Sequence, residues 1–384
     1  MIAIDPRTVV LLAGVMSGFM SVILFALKRH YPPAIKGLGE WAIACLMVAV
    51  GSLLAFGLGH FPTVASITIP RLLFPLAFLL AYVGAQRFFG VVPRVAPWLA
   101  LIAAVVLAQV WFTFVNPSFA MRLSLSNSLA ACLLVAFANL LRQQKPSSFA
   151  KVLTLVVLGT MFAILVMRLL TLAIWPPGDN VYDNSPQQLV YLTAFAFFVI
   201  LLAVSLVLLA AERLHAEVAY LASHDSLTNA LTRRHMNELC AIELDRSQRH
   251  GHSMALLIMD LDHFKRINDT YGHQAGDRVL TQFVAQVQQL LRRPDLLARF
   301  GGEEFVALLP QTNLADAVSV AQRIREACER ANPGEGCTVS IGVTTNQSAT
   351  DTLDALIARA DKAMYLAKAN GRNRVEIAAS VVAV

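Results

Sequence analysis

The chain has 384 residues, 57% hydrophobic and only 15% charged, with a formal net charge of +6. A mean hydropathy of +0.59 excludes a single soluble domain and points to membrane spans. The excess positive charge is a loop signature of such a protein, so no nucleic-acid partner is implied.

The apolar sequence is confined to residues 1–211, where about seven runs of spanning length lie near 8–27, 41–58, 67–86, 95–115, 123–141, 152–175 and 188–211. The third run is the weakest, because Pro70, Arg71 and Pro75 stand near its start, which leaves six spans plus a re-entrant segment as an alternative. Lys28, Arg29 and Lys36 follow the first run, Arg87 and Arg94 the third, and Arg142, Lys145 and Lys151 the fifth. Those loops read as cytoplasmic. Asp179 and Asp183 lie in a loop poor in basic residues, so the N-terminus is expected outside and the C-terminus inside. Asp5 and the lack of a basic leader argue against a cleaved signal peptide. External loops are short, so a stimulus would be sensed within the bundle, at its rims or in the lipid. Arg168, inside the sixth run, calls for a partner or a water-filled cavity, or else snorkels to the outer interface.

The last run continues without Pro or Gly into residues 212–222, where Val207, Ala211, Leu214, Val218 and Leu221 recur in steps of four and three. That spacing predicts a short helical linker with a two-stranded coiled-coil seam between copies of the chain. Cys45, Cys132, Cys240, Cys328 and Cys337 lack metal-site spacing and read as free thiols.

Residues 223–377 form an ordinary globular sequence, followed by a tail at 378–384. His224 to Thr228 reads as a capped turn, and Ala255 to Met259 as an apolar strand ending in Asp260-Leu261-Asp262. A helix is expected from about Gly276-Asp277. Arg299-Phe300-Gly301-Gly302-Glu303-Glu304-Phe305 reads as a hairpin with an acidic tip, its glycines taking the positive φ angles of a two-residue turn. Asp260 and Glu303 converge if their strands are neighbours in one sheet. Two carboxylates with no dedicated cage suit Mg²⁺ held jointly with a nucleoside triphosphate.

From His224 to Arg374 the sequence resembles a GGDEF domain, the diguanylate cyclase. The resemblance rests on Asp260 to Asp269, Gly272 to Asp277, Gly301 to Phe305, Val339 to Val343, Ala360 to Lys368 and Gly371 to Asn373, in that order. It implies an α/β ferredoxin-like sheet of the nucleotidyl-cyclase palm type and condensation of two GTP molecules to cyclic di-GMP and two pyrophosphates; with the apolar runs and loop charges, the expectation is an inner-membrane enzyme with this domain in the cytoplasm. Each domain binds one GTP, so a homodimer is implied. Asp260, Glu303 and the Leu261 carbonyl would hold metal, two Mg²⁺ per half-site with Mn²⁺ as a substitute. Asn268 and Asp277 would read guanine. Lys265, Lys368 and Arg372, the backbone of His263 and Phe264, and the Gly301-Gly302 turn would hold phosphates. Glu303 or Glu304 would help deprotonate the 3′-hydroxyl, and the sequence does not choose between them. Arg292 and Asp295 resemble the family's inhibitory site for the product. Asn229-Ala230 and Thr232 depart from the usual Gly-Leu and Asn of the opening turn, and Glu303 replaces Asp. The alternative readings are a catalytically silent receptor for cyclic di-GMP or GTP that signals by contact, and a transporter with an appended regulatory domain.

Overall fold

A computed structural model describes residues 5–145, 147–174, 182, 185–331, 337–346 and 351–378. Asp179, Asp183 and the tail beyond Ala378 lie outside the described residues. The chain divides into two compact units, Met1–Ala216 and Glu217–Val384.

The first unit is helical: α1 Pro6–His30, α2 Leu38–Phe56, α3 Ile69–Phe88, α4 Ala96–Phe114, α5 Phe119–Gln143, α6 Phe149–Ile174 and α7 Pro186–Ser223. Among the described residues, seven helical segments are long and apolar enough to cross a membrane. The third is helical throughout Val64–Phe88: a π-helical turn at Val64–Thr68 leads into α3, Pro70 sits in the first turn of α3 and Pro75 lies inside it. Trp41 is fully buried between α2 and α3, where its indole N–H donates to the Ala81 carbonyl at 3.0 Å. Large apolar side chains face outward, among them Phe19 (66% exposed), Val22 (68%) and Leu107 (70%).

On α7 the expected seam is divided. Val207 and Leu214 pack against the core of the bundle, whereas Val218 and Leu221 are exposed. Glu212 accepts from the Ala150 amide at 3.0 Å, which caps the start of α6.

The second unit is built on a six-stranded sheet of β1 Leu231–Thr232, β2 Ala255–Leu261, β3 Leu296–Arg299, β4 Glu304–Leu309, β5 Val339–Thr345 and β6 Val375–Ile377, in the order β1-β3-β4-β2-β5-β6. Around it lie α8 Arg233–His250, α9 Phe264–Tyr271, α10 His273–Leu290, α11 Leu314–Ala331 and α12 Leu353–Ala369. β2 is central, antiparallel to both β4 and β5, and buried along its whole length. Both faces of the sheet are covered. Leu257, Met259, Phe305 and Ala307 join the core under α9, α10 and α11, while Leu256, Ile258, Val306 and Leu308 join that under α8 and α12. The alternation follows the two-residue period of a strand. Gly342 on β5 carries the close approach of α12, since a Cβ there would lie 2.1 Å from the Ala360 carbonyl oxygen. The helix expected near Gly276 starts three residues earlier, at His273, and α9 precedes it across Gly272 at φ 81°. That φ favours glycine and ends α9 sharply.

Candidate active site at one end of the sheet

The register of β2 against β4 brings the acidic residues together. Asp260 pairs with Glu304 across the ladder, and the Leu261 amide donates to the Glu303 carbonyl at 3.2 Å. Asp260 therefore shares a sheet face with Glu304, and Glu303 stands beside the Leu261 backbone. Lys368, in the last turn of α12, places its ammonium 2.7 Å from the Asp260 carboxylate. Asp260 is 5% exposed. Burial is the largest influence on its carboxyl and raises it; the Lys368 ammonium draws it down, and the Glu303 and Glu304 carboxylates push it up again, so it remains above its ordinary value.

The Gly301-Gly302 loop differs from the expected turn. β3 ends at Arg299 and β4 begins at Glu304, so four residues connect them, and neither glycine has a positive φ. The glycines serve access rather than chain reversal. A Cβ on Gly302 would meet nothing within 4 Å, and the loop is drawn inward by its carbonyls, which accept from the Arg299 guanidinium at 2.8 to 3.2 Å. The same guanidinium donates to Asp225 at 3.0 Å. Asp225 also accepts from the Thr228 amide and hydroxyl, which makes the capped turn at the start of the domain. Burial alone would raise the Asp225 carboxyl, but Thr228 and Arg299 outweigh it and hold it below the usual carboxylate range. Asn229 takes φ 58°, a conformation Asn tolerates better than most residues, which gives its place after the turn a backbone reason.

Asp262 is almost fully buried at 1% exposure and accepts from Thr338 Oγ1 at 2.7 Å, Ser340 Oγ at 2.8 Å and the Asn373 amide at 3.1 Å. It ties the turn after α12, which carries Arg372 at φ 62°, to the end of β2. Sequence reasoning gave no role to Asp262 or Arg299. The signal was present as Asp260-x-Asp262 and as an Arg two residues before Gly301. At this end of β2 the chain turns through His263, at φ 57°, into α9, so the amides of His263 and Phe264 open a helix N-terminus while the Phe264 ring is buried in the core. Lys265 is exposed on the first turn of α9.

Asn268 and Asp277 stand on α9 and α10. The two helices approach closely because residue 276 is glycine: a Cβ there would lie 2.0 Å from Asn268 Oδ1. Asn268 is half-buried, and Asp277 is exposed one position beyond Gly276. Arg292 and Asp295 are elsewhere. They lie before β3, at the end opposite the glycine loop, a strand length of about 13 Å away. The Arg292 amide donates to Asp295 at 2.7 Å, and both residues line a hollow of about 200 Å³ with His224, Asn229 and Gln288. Burial raises the Asp295 carboxyl above its ordinary value, against the pull of Arg292 and Arg323.

Among the described residues no group of three His, Cys, Asp or Glu side chains converges as a metal cage. The nearest set of hard donors is Asp260, ion-paired to Lys368 and opposite Glu304 across the ladder, with Glu303 on the backbone that adjoins Leu261. Such a set fits a divalent cation whose remaining ligands come from substrate oxygens and water. Burial pushes the Cys240 thiol up to about 12, which disfavours its thiolate.

Residues 222–374 match the family model described as diguanylate cyclase, GGDEF domain. This part of the chain is 41% identical over 162 residues to the response regulator PleD of Caulobacter vibrioides, covering 40% of this chain and 36% of that protein. It is 42% identical over 159 residues to the diguanylate cyclase DgcP of Pseudomonas aeruginosa, covering 40% and 24%, and 39% identical over 166 residues to DgcM of Escherichia coli K12, covering 43% and 40%. The chain thus spans well under half the length of these relatives. Among solved structures, the coiled coil and GGDEF domain of DgcB from Caulobacter crescentus in complex with c-di-GMP aligns at 29% identity and TM-score 0.43, covering 46% of this chain and 97% of that one.

Proposed function

We propose that the protein is a membrane-embedded diguanylate cyclase that condenses two GTP molecules into cyclic di-GMP and two pyrophosphates. The reading is supported chiefly by Asp260, which is ion-paired to Lys368 and opposite Glu304 at the end of β2, just before the N-terminus of α9. Membrane placement is supported by the seven apolar helices and their outward-facing Phe, Val and Leu side chains, which need an apolar surrounding. The basic loops after the first, third and fifth runs favour an outside N-terminus and a cytoplasmic C-terminal unit.

On this reading Asp260, Glu303 and the Leu261 carbonyl hold Mg²⁺, for which Mn²⁺ can substitute, and two such ions serve each half-site. The bound cation supplies charge neutralisation on the triphosphate. The chain's own residues do the rest. The amides of His263 and Phe264 at the positive end of α9 receive phosphate oxygens, and Lys265, Lys368 and Arg372 balance their charge. Substrate phosphate draws Lys368 away from Asp260, which frees that carboxylate as a ligand. Asn268 and Asp277 pair with the guanine edge. Adenine would leave the Asp277 carboxylate facing no donor, which penalises it. Gly301 and Gly302 leave room for the nucleotide against the backbone. Glu303 or Glu304 receives the 3′-hydroxyl proton as that oxygen attacks the α-phosphorus of the other GTP and pyrophosphate leaves. One domain holds one nucleotide, so two domains must face each other, and positioning supplies much of the rate.

Arg292 and Asp295, on their separate hollow, suit the product: the guanidinium meets a phosphate or guanine acceptor and Asp295 the guanine donors. Occupation there would restrain the enzyme. The test is GTP turnover by the full-length protein in nanodiscs with Mg²⁺, with products separated by chromatography. Cyclic di-GMP from wild type and none from Glu303→Ala is the expected result. Tight cyclic di-GMP binding without any turnover would instead establish a silent receptor.

A further inference from the structure

The helical unit contains a cavity of about 230 Å³, lined mainly by apolar side chains such as Phe74, Phe78 and Leu165. Apart from tyrosines, its only ionisable lining residues among the described ones are Arg71 and Arg168. Neither has a carboxylate partner among the described residues. Arg71 uses one donor on Thr113 Oγ1 at 2.7 Å, and Arg168 one on the Gln188 carbonyl at 2.7 Å while its guanidinium lies 4.7 Å from the Tyr191 ring centre. A guanidinium carries five N–H donors, so most of this capacity remains unused. A third observation is independent of charge: Asn127 lines the same cavity, is 5% exposed, and its side-chain nitrogen has no hydrogen-bond partner. Two cations and an orphaned amide donor against an apolar wall are each costly without an acceptor.

We infer that this cavity is a binding site for a small amphipathic anion, a carboxylate head carrying a short apolar body. A carboxylate accepts in bidentate fashion from a guanidinium, has lone pairs left for a second Arg and the Asn127 amide, and removes the charge excess. The apolar wall takes the tail. The volume falls below the roughly 300–1,000 Å³ usual for drug-sized ligands, which favours a chain of medium length over a whole phospholipid. Arg71 stands in the first turn of α3, Arg168 near the end of α6, Asn127 early in α5 and Tyr191 early in α7. In the proposed orientation all four ends lie in the outer half of the bundle, so the ligand enters from outside or from the outer leaflet. The site is then a sensory input to the helical unit.

The test is saturation binding of radiolabelled octanoate to the full-length protein in nanodiscs, with empty nanodiscs as blank and 1-octanol as uncharged competitor. Saturable octanoate binding is expected, with octanol at least tenfold weaker. Arg71→Gln and Arg168→Gln should each weaken octanoate at least fivefold, and Ala130→Phe, which fills the apolar part, should abolish binding. Octanol competing as well as octanoate, or uptake no greater than by empty nanodiscs, would overturn the inference in the wild type alone, whatever the variants do. Undiminished binding in both Arg variants would overturn it as well. Because binding is read apart from GTP turnover, a wild type that binds octanoate but makes no cyclic di-GMP would fail the cyclase reading only.

Discussion

At the residue scale the site depends on which charges face one another. Asp225 shares the Arg299 guanidinium with the Gly301 and Gly302 carbonyls, so the opening turn and the glycine loop are held by one cation. Asp225→Asn should cost about 1.5–3 kcal/mol, the range for hydrogen bonds to charged groups. The Asp225 carboxyl is held below its ordinary value, so its contribution is complete above the unfolded value of about 3.9 and disappears as pH falls through the lower folded value. Urea unfolding of wild type and variant at pH 7 and at pH 3 should therefore show the gap between them shrink in acid. Gly276→Ala would press a Cβ on Asn268 Oδ1 and turn the amide away from the base. Loss of one such bond, about 1.4 kcal/mol, predicts a roughly tenfold higher KM for GTP with kcat little changed. Asp260 and Glu303 were legible in the sequence because carboxylates at strand ends are conspicuous. Asp262 and Arg299 were not, because their work is to hold backbone atoms that meet only after the sheet has formed.

At the element scale, the continuous apolar runs announced β2 and β4, and their neighbouring placement set Asp260 opposite Glu304. The glycine loop was misread for a definite reason. Gly-Gly before a strand fits a tight turn by composition, but Arg299 binds the loop carbonyls and stabilises a four-residue connection without positive φ. The α7 seam was half legible: a four-and-three repeat cannot tell a partner helix from the chain's own bundle, and Val207 and Leu214 turn to the bundle. Gly342 is the most sensitive contact between β5 and α12. Gly342→Ala sets a Cβ 2.1 Å from a backbone oxygen that cannot rotate aside, so it should cost about 3 kcal/mol or more. Because α12 carries Lys368, the same change should depress GTP turnover even where the protein remains folded. Circular dichroism melts and initial rates on one sample would separate the two effects.

At the scale of the whole molecule, the division into an apolar unit and a globular one was readable from composition, since hydropathy changes abruptly after residue 211, whereas the α/β class of the second came from the GGDEF resemblance. The cavity between Arg71 and Arg168 was not readable, because it exists only where the ends of six helices meet; a lone Arg in an apolar run left a partner, a water-filled cavity and snorkelling all open. Product control belongs to this scale too. If Arg292 and Asp295 bind cyclic di-GMP at the end of β3 away from the glycine loop, Arg292→Ala should leave the initial rate within about twofold and raise the inhibitory product concentration at least tenfold, about 1.4 kcal/mol of lost binding. Progress curves with added product would measure both. The central claim is that Asp260, Glu303 and Lys368 make one catalytic cluster, and the most direct measurement is cyclic di-GMP formation from GTP by wild type, Glu303→Ala and Lys368→Ala in nanodiscs. The account predicts product from wild type and at least a hundredfold loss in each variant; turnover by either variant at the wild-type rate would contradict it.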